Sequence, residues 1–542
     1  MKPACTRCVR LYGRCGGYDP KHVRKGDGFL SRPTLTETKR SPSFPLSLSL
    51  SLIQPSQTPH PDNLHFSYFR VFREETALEL TGVYQCSLWD TTIVRECHRE
   101  AFVLDAVVAI GALSKSAKAS WMACVSTGEA AQTWSRLAAR HREFALRTYG
   151  VALRKMVTGG FGDKAVNSLR RALISCLLVF VFESFSGQAD MAFSHARIGD
   201  TLTWDFIGET PKAEGLFSPA VELLEDDLYN ASFHLSLRML TFADRGPVQR
   251  HWAAKSTFSM TADNMPVTFS SLFEAKQYWQ LILRRSCHYA SAAFMETQAF
   301  RMKTELSYKI PGRTVDISSG SSIYSSPHTV PPGLYAESAQ YCEEIDRWSS
   351  ALQPLFDKAR PGQETGHDIT PLLLRIYALA IRIIVRGTVF TEECSYDAFL
   401  PDFREIVTLA RRISRANSPQ PTFRLDLGIV TPLFIVLLRC RQRSLRREAI
   451  AILESSTTQD GSWDPQATAK VGAWIMEKEE ERTPKDGDST GSIPEWARVR
   501  FSQISMSVES RSLVVQCVRR VNDQGLGEGP HLIWEEAMIK DW

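Results

Sequence analysis

The stretch LWDTTIVRECHREAFVLDAVVAIGAL, residues 88–113, decides how the rest of the chain is read. Its apolar residues Trp89, Ile93 and Cys97, then Phe102, Ala106, Ile110 and Leu113, recur at intervals of three to five. That is the spacing of one face of an α-helix rather than the strict alternation of a half-buried strand. The pattern returns in HREFALRTYGVALRKM, with Ala145, Tyr149, Leu153 and Met156, and in FREIVTLARRI, with Phe403, Ile406, Val407, Ala410 and Ile413. No convincing pair of strands emerges, so the body from about residue 66 onward is expected to be all-α. Long loops are expected at about 312–333 and 481–494, where Gly, Ser, Pro and charged residues accumulate.

With 542 residues, 43% of them hydrophobic, the chain can bury a large core and form more than one compact unit. Its twelve cysteines are thinly scattered after the first three. That scatter suits buried thiols in a reducing compartment better than a disulfide framework. No apolar N-terminal segment with a cleavage site is visible. The longest apolar runs, ALISCLLVFVF and LGIVTPLFIVLL, reach only about half the length of a membrane-spanning helix. A soluble intracellular protein with no membrane partner is expected.

The net charge of +4 conceals an asymmetry. Residues 1–40 hold ten Lys and Arg against Asp19, Asp27 and Glu37, a local +7, so the remainder is −3. A basic head on a slightly acidic body is the distribution expected of a chain that meets a polyanion at one end. A solvated basic tail would produce the same numbers.

Three parts follow from composition: a cysteine-bearing head over residues 1–20, a linker over 21–65, and the helical body over 66–542. The linker is rich in Ser, Thr and Pro and includes KRSPSFPLSLSLSLIQPSQTPHPDN, which is expected to be disordered because it offers little apolar surface to offset the ordering entropy. In the head, MKPACTRCVRLYGRC, two residues separate Cys5 from Cys8 and six separate Cys8 from Cys15. Cys5 and Cys8 are close enough to hold one metal, and the stretch up to Cys15 is basic, with Arg7, Arg10 and Arg14. Zinc is the expected cofactor, with Cys5, Cys8 and Cys15 as ligands. His22 is the nearest imidazole and reads more simply as solvated.

KPACTRCVRLYGRCGGYD resembles the second half of a fungal Zn(2)-Cys(6) binuclear cluster. In that family six thiolates hold two zincs and a short helix enters the DNA major groove. By motif order Cys5, Cys8 and Cys15 match the fourth, fifth and sixth family cysteines, and the first half, with its base-reading helix, has no counterpart in the chain as given. Three body segments, SLWDTTIVRECHREAFVLDAVVAIGAL, Asp426 to Leu453 and Gly461 to Glu480, are similar, in order, to the helical regulatory domain of the same family. The resemblance implies an all-α regulatory domain without catalytic residues and a nuclear, sequence-specific regulator of RNA polymerase II transcription. Its partners would be promoter DNA and the transcription machinery or co-regulators, with a homodimer among the options. Arg7, Arg10, Arg14, Lys21, Arg24 and Lys25 would contact phosphates. The alternatives are a helical interaction protein that has lost specific DNA binding and, more remotely, an all-α enzyme.

Other motifs have plainer readings. Asp226, Asp227 and Asn230 in EDDLYN resemble the magnesium-binding acids of isoprenoid synthases, but no second acidic constellation accompanies them, and a solvated helix end is expected. RCRQRSLRRE, residues 439–448, is expected to be an exposed helix face rather than an import signal or phosphate patch. The neighbours Cys97-His98 and Cys287-His288 should diverge on a helix. FGDKAVNSLRRALI lacks the residues of a phosphate loop.

Overall fold

The computed structural model describes residues 62–82, 87–158, 165–208, 215–240, 248–303, 330–358, 369–416, 420–425, 428–461, 463–481, 493–507, 512–521 and 531–540. The cysteine head and all but the end of the linker lie outside these residues, as do most of the two expected long loops. The described body is all-α in class. Helices carry nearly all of it, with one short parallel ladder and one antiparallel sheet at the C-terminal end.

The first half begins with α1 (Asn63–Val71), capped by the Asp62 carboxylate accepting from the His65 amide at 2.6 Å. A π-turn (Phe72–Thr76) leads into α2 (Ala77–Thr81), and a second (Leu88–Thr92) into α3 (Ile93–Glu96). The long antiparallel pair α4 (Ala101–Val125) and α5 (Gly128–Thr158) follows, then α6 (Ala165–Ser186), α7 (Ala189–Gly208) and α8 (Asp226–Leu240). The residues picked out by periodicity over 88–113 are all buried in one core, where α1, α6 and the aromatic ring of Tyr149 close around α4. A Cβ at Gly111 would lie 2.3 Å from the Tyr68 carbonyl oxygen, so only glycine lets α1 and α4 cross this closely.

The second half comprises α9 (Val248–Ser256), α10 (Ser259–Asp263), α11 (Leu272–Lys303), α12 (Gly333–Asp357), α13 (Thr370–Gly387), a 3₁₀ turn (Glu393–Phe399) and α14 (Leu400–Ala416). Beyond them lie α15 (Val430–Arg439), α16 (Arg443–Ser455) and α17 (Pro465–Glu480). The apolar helices α13 and α15 occupy the centre of its core. Trp279 and Trp348 pack with ring centroids 4.6 Å apart, and the Trp348 indole donates to the Ala275 carbonyl at 2.9 Å. Helix α17 starts at Pro465, with the Asp464 carboxylate accepting from the Ala467 amide at 2.8 Å.

A small ladder joins the halves. Strands β1 (Thr422–Arg424) and β2 (Thr458–Asp460) pair in parallel. Phe423 of β1 stacks on Phe185 of α6 at 3.9 Å, while Asp460 of β2 accepts from the Val430 amide at the start of α15 at 2.9 Å. The ladder thus ties the first core to the start of α15.

The C-terminal end departs from the expectation of no paired strands. Strands β3 (Arg500–Ser507), β4 (Ser512–Val521) and β5 (His531–Lys540) form an antiparallel meander, with a bulge between Phe501 and Gln503. Val515 and Cys517 of the central strand join the second core, so one face of the sheet is anchored on helices. No helix among the described residues is long and apolar enough to cross a membrane.

Candidate functional site

The residues assigned to zinc (Cys5, Cys8, Cys15) and to DNA (Arg7, Arg10, Arg14, Lys21, Arg24, Lys25) lie outside the described residues, as does His22. Within the body, the most concentrated charge chemistry arises from the run RCRQRSLRRE. The expectation of an exposed helix face there is corrected. Arg439, Arg441 and Arg446 are buried. Arg439 ends α15, Arg441 sits in the short link to α16, and Arg446 lies in the first turn of α16, so all three turn inward between α15, α17 and the 3₁₀ turn.

Two wholly buried carboxylates receive them. Glu393 accepts from Arg439 at 2.5 Å and from Arg441 at 3.2 Å. Glu479, near the end of α17, accepts from Arg441 at 2.8 Å, from Arg446, and from the Val499 amide at 2.8 Å. Arg439 also lies over the Tyr396 ring at 4.5 Å. Burial works against the charge of Arg439, yet Glu393, Tyr396 and Glu479 together raise its pKa; for Arg446 burial wins and the pKa falls in spite of Glu479. Arg498 extends the centre with a bidentate pair to Asp397 at 2.8 and 2.7 Å. Only Arg443 and Arg447 of the run are outward enough to meet Glu480, at 3.1 and 3.7 Å.

Chemically this is a clamp. Both carboxylates are taken up by guanidinium groups. Sequence reading missed Glu393 and Glu479 because they lie 46 and 33 residues from the arginines they pair with. The one local signal was an apolar run ending in arginine, a charge that burial of α15 would force to find a partner.

The other motifs resolve into local roles. Glu225 forms a bidentate pair with Arg170 at 2.8 and 3.0 Å; burial works to raise its pKa, and Arg170 overrides that and holds the carboxyl below its ordinary range. Asp226 accepts from the Ser218 amide at 2.7 Å, and Asp227 from the amide and hydroxyl of Ser87 at 2.9 and 2.6 Å. These acids anchor loops to the start of α8. Cys97 is buried, its thiol pushed up by burial, while His98 is exposed. Burial likewise pushes the Cys287 thiol up to about 12. His288 meets His251, Nδ1 to Nδ1, at 3.0 Å, which requires opposite tautomers on the two rings when both are neutral. Glu392, Cys394 and Glu495 come together, but Glu495 already accepts from the Glu393 and Cys394 amides at 3.0 and 2.8 Å. The Cys394 thiol is raised by burial and by Glu495, so the group closes a turn more readily than it offers thiolate to a metal.

One concave site lies at the junction of the halves. A pocket of about 410 Å³ opens between α4 and α5, lined among others by Leu113, Ala117, Ser120, Arg142, Phe185 and Phe423. Its apolar floor includes the stacked Phe185–Phe423 pair, and the exposed Arg142 lies at its wall. Such a lining suits a small, flat, partly apolar molecule with an anionic edge. Comparison with family models, curated proteins and solved structures finds no match.

Proposed function

We propose that the chain is a zinc-cluster-type transcription regulator: a basic, thiolate-bearing head that engages promoter DNA, carried on a helical body that sets activity through co-regulators or a small effector. The observation that carries this reading is the order of motifs along the chain. The cysteine head comes first, then residues 87–113, Asp426 to Leu453, and Gly461 to Glu480. The fold supports it in one respect. The last two segments, read separately from sequence, supply α15, α16 and α17, which pack on one another and share the Glu393–Glu479 clamp. The pocket at the Phe185–Phe423 stack is the effector site this reading favours.

The donor set limits the metal chemistry. Three thiolates fit one zinc with a fourth position filled from elsewhere; they do not fit a two-metal cage of six thiolates. Zinc content of the purified full chain after dialysis against a competing chelator tests this. At most one equivalent, lost to the chelator, is expected. Two tightly held equivalents per chain would overturn it.

A further inference from the structure

Helix α5 carries six Lys and Arg against Glu129 and Glu143, a local +4. Since the whole chain is +4 and the head +7, everything outside the head and α5 is −7. The positive charge of α5 is also ordered. At 3.6 residues per turn, Arg136, Arg140, Arg147 and Arg154 fall within an arc of about 40° and extend for roughly 27 Å along the axis. Ala138, Ala145, Tyr149 and Ala152, the buried residues of the same helix, centre about 180° away. The arginines are thus diametrically opposed to the core, and all four are exposed. Arg147 pairs with Glu143 at 2.6 Å, with 79% of its side chain accessible. Arg136, Arg140 and Arg154 make no ion pair among the described residues.

We infer that this stripe is a second nucleic-acid contact, binding the phosphate backbone of duplex DNA independently of base sequence. The inference rests on the reading of the chain as a DNA-binding regulator, and it assigns to the helical body a share of the binding that the head alone was expected to supply. Charge complementarity selects the partner. A duplex presents one phosphate per ~1.7 Å of axis, so a rigid ~27 Å row of guanidinium groups finds phosphates in any register. Arginine can also form forked bonds to phosphate oxygens. Glu143 interrupts the row and neutralises part of Arg147, so about three phosphates are neutralised rather than four or more.

The magnitude follows from counterion release. About three contacts contribute about 2.7 to the slope of log affinity against log salt, or roughly 40-fold between 50 and 200 mM. The test uses the full chain, a short duplex of arbitrary sequence, fluorescence anisotropy and a salt series. The variant Arg136→Gln/Arg140→Gln/Arg147→Gln/Arg154→Gln is expected to lower the slope by about 3 while its unfolding midpoint stays that of the wild type. The fourfold lysine variant should keep the slope. A second variant, Arg7→Gln/Arg10→Gln/Arg14→Gln, separates the two ideas. If it weakens binding while the stripe variant binds like the wild type, the inference fails and the DNA-binding head stands. If the stripe variant alone weakens binding, the inference stands and the assignment of the head fails. Polyglutamate competing charge for charge as well as the duplex would overturn the inference in favour of an acidic protein partner. No duplex binding by the wild-type chain would overturn it too.

Discussion

Replacing Glu479 with glutamine removes the one acid that meets Arg446 among the described residues. In the folded chain Glu479 is wholly buried and accepts from Arg441, Arg446 and the Val499 amide. Arg446 is equally buried, and its Nε and Nη2 have no hydrogen-bond partner among the described residues. Its charge is therefore compensated at one atom by one carboxylate. A buried ion left without its partner costs about 3–5 kcal/mol. The reverse change is milder. Arg446→Leu leaves Glu479 still paired with Arg441 and the Val499 amide, and should cost about 1–3 kcal/mol, the range for a lost buried hydrogen bond. The double change Glu479→Leu/Arg446→Leu removes both charges and should recover much of the Glu479→Gln loss, although Arg441 keeps only Glu393. Urea unfolding followed by tryptophan fluorescence measures all three. At a slope of ~3 kcal/mol/M, Glu479→Gln should lower the midpoint by roughly 1 M or more. A loss within about 1 kcal/mol for Glu479→Gln, equal to that for Arg446→Leu, would refute the clamp.

Gly111→Ala should destabilise by about 1–3 kcal/mol in the same unfolding assay, since its Cβ would meet the Tyr68 carbonyl at 2.3 Å and force α1 off α4. Asp464→Ala should cost ~1 kcal/mol through loss of the cap on α17, and Asp464→Asn should restore most of it. The pH profile should bear the mark of His288. Burial first, and then the positive neighbours His251, Arg284 and Arg250, hold its pKa well below the ordinary 6.5. The folded chain therefore binds fewer protons than the unfolded one below about pH 6.5, and stability is full above that value and falls as pH drops through it toward the folded pKa. Unfolding free energies compared at pH 8, 6 and 5 should fall by at most ~1.4 kcal/mol per pH unit through this group, and His288→Asn should flatten the decline.

Much of the helical body can be read from its residues because helix periodicity is a local record of burial. Phe403, Ile406, Val407, Ala410 and Ile413 were chosen by spacing alone, and all five are buried in α14. Residues 88–113 behave the same way. The C-terminal sheet escaped because strand pairing is not local. SLVVQCVRRV does carry β-branched residues, but its partners lie on both sides of it in sequence, and nothing in any one strand announces the other two. The arginine run misled for a related reason. Basic residues on a helix are ordinarily solvated, and what buries these is a pair of glutamates far off in sequence. The loops anchored by Asp226 and Asp227 could be foreseen only as a polar helix start. Phe423, which stacks on Phe185 in the first core, sits in a three-residue strand too short to give a pattern.

If the basic head gives this chain its hold on DNA, one titration shows it. The full chain and a variant with Arg7, Arg10, Arg14, Lys21, Arg24 and Lys25 all changed to glutamine are bound to a matched panel of duplexes from about 50 to 200 mM salt. On this reading the wild type binds every duplex similarly and loses roughly ten-thousandfold to a hundred-thousandfold in affinity over that range, and the variant's slope falls by about 5, leaving the shallower dependence of about 3 that the α5 stripe supplies. It would be contradicted by a variant that binds like the wild type, or by a wild-type chain that prefers one short motif by about a thousandfold.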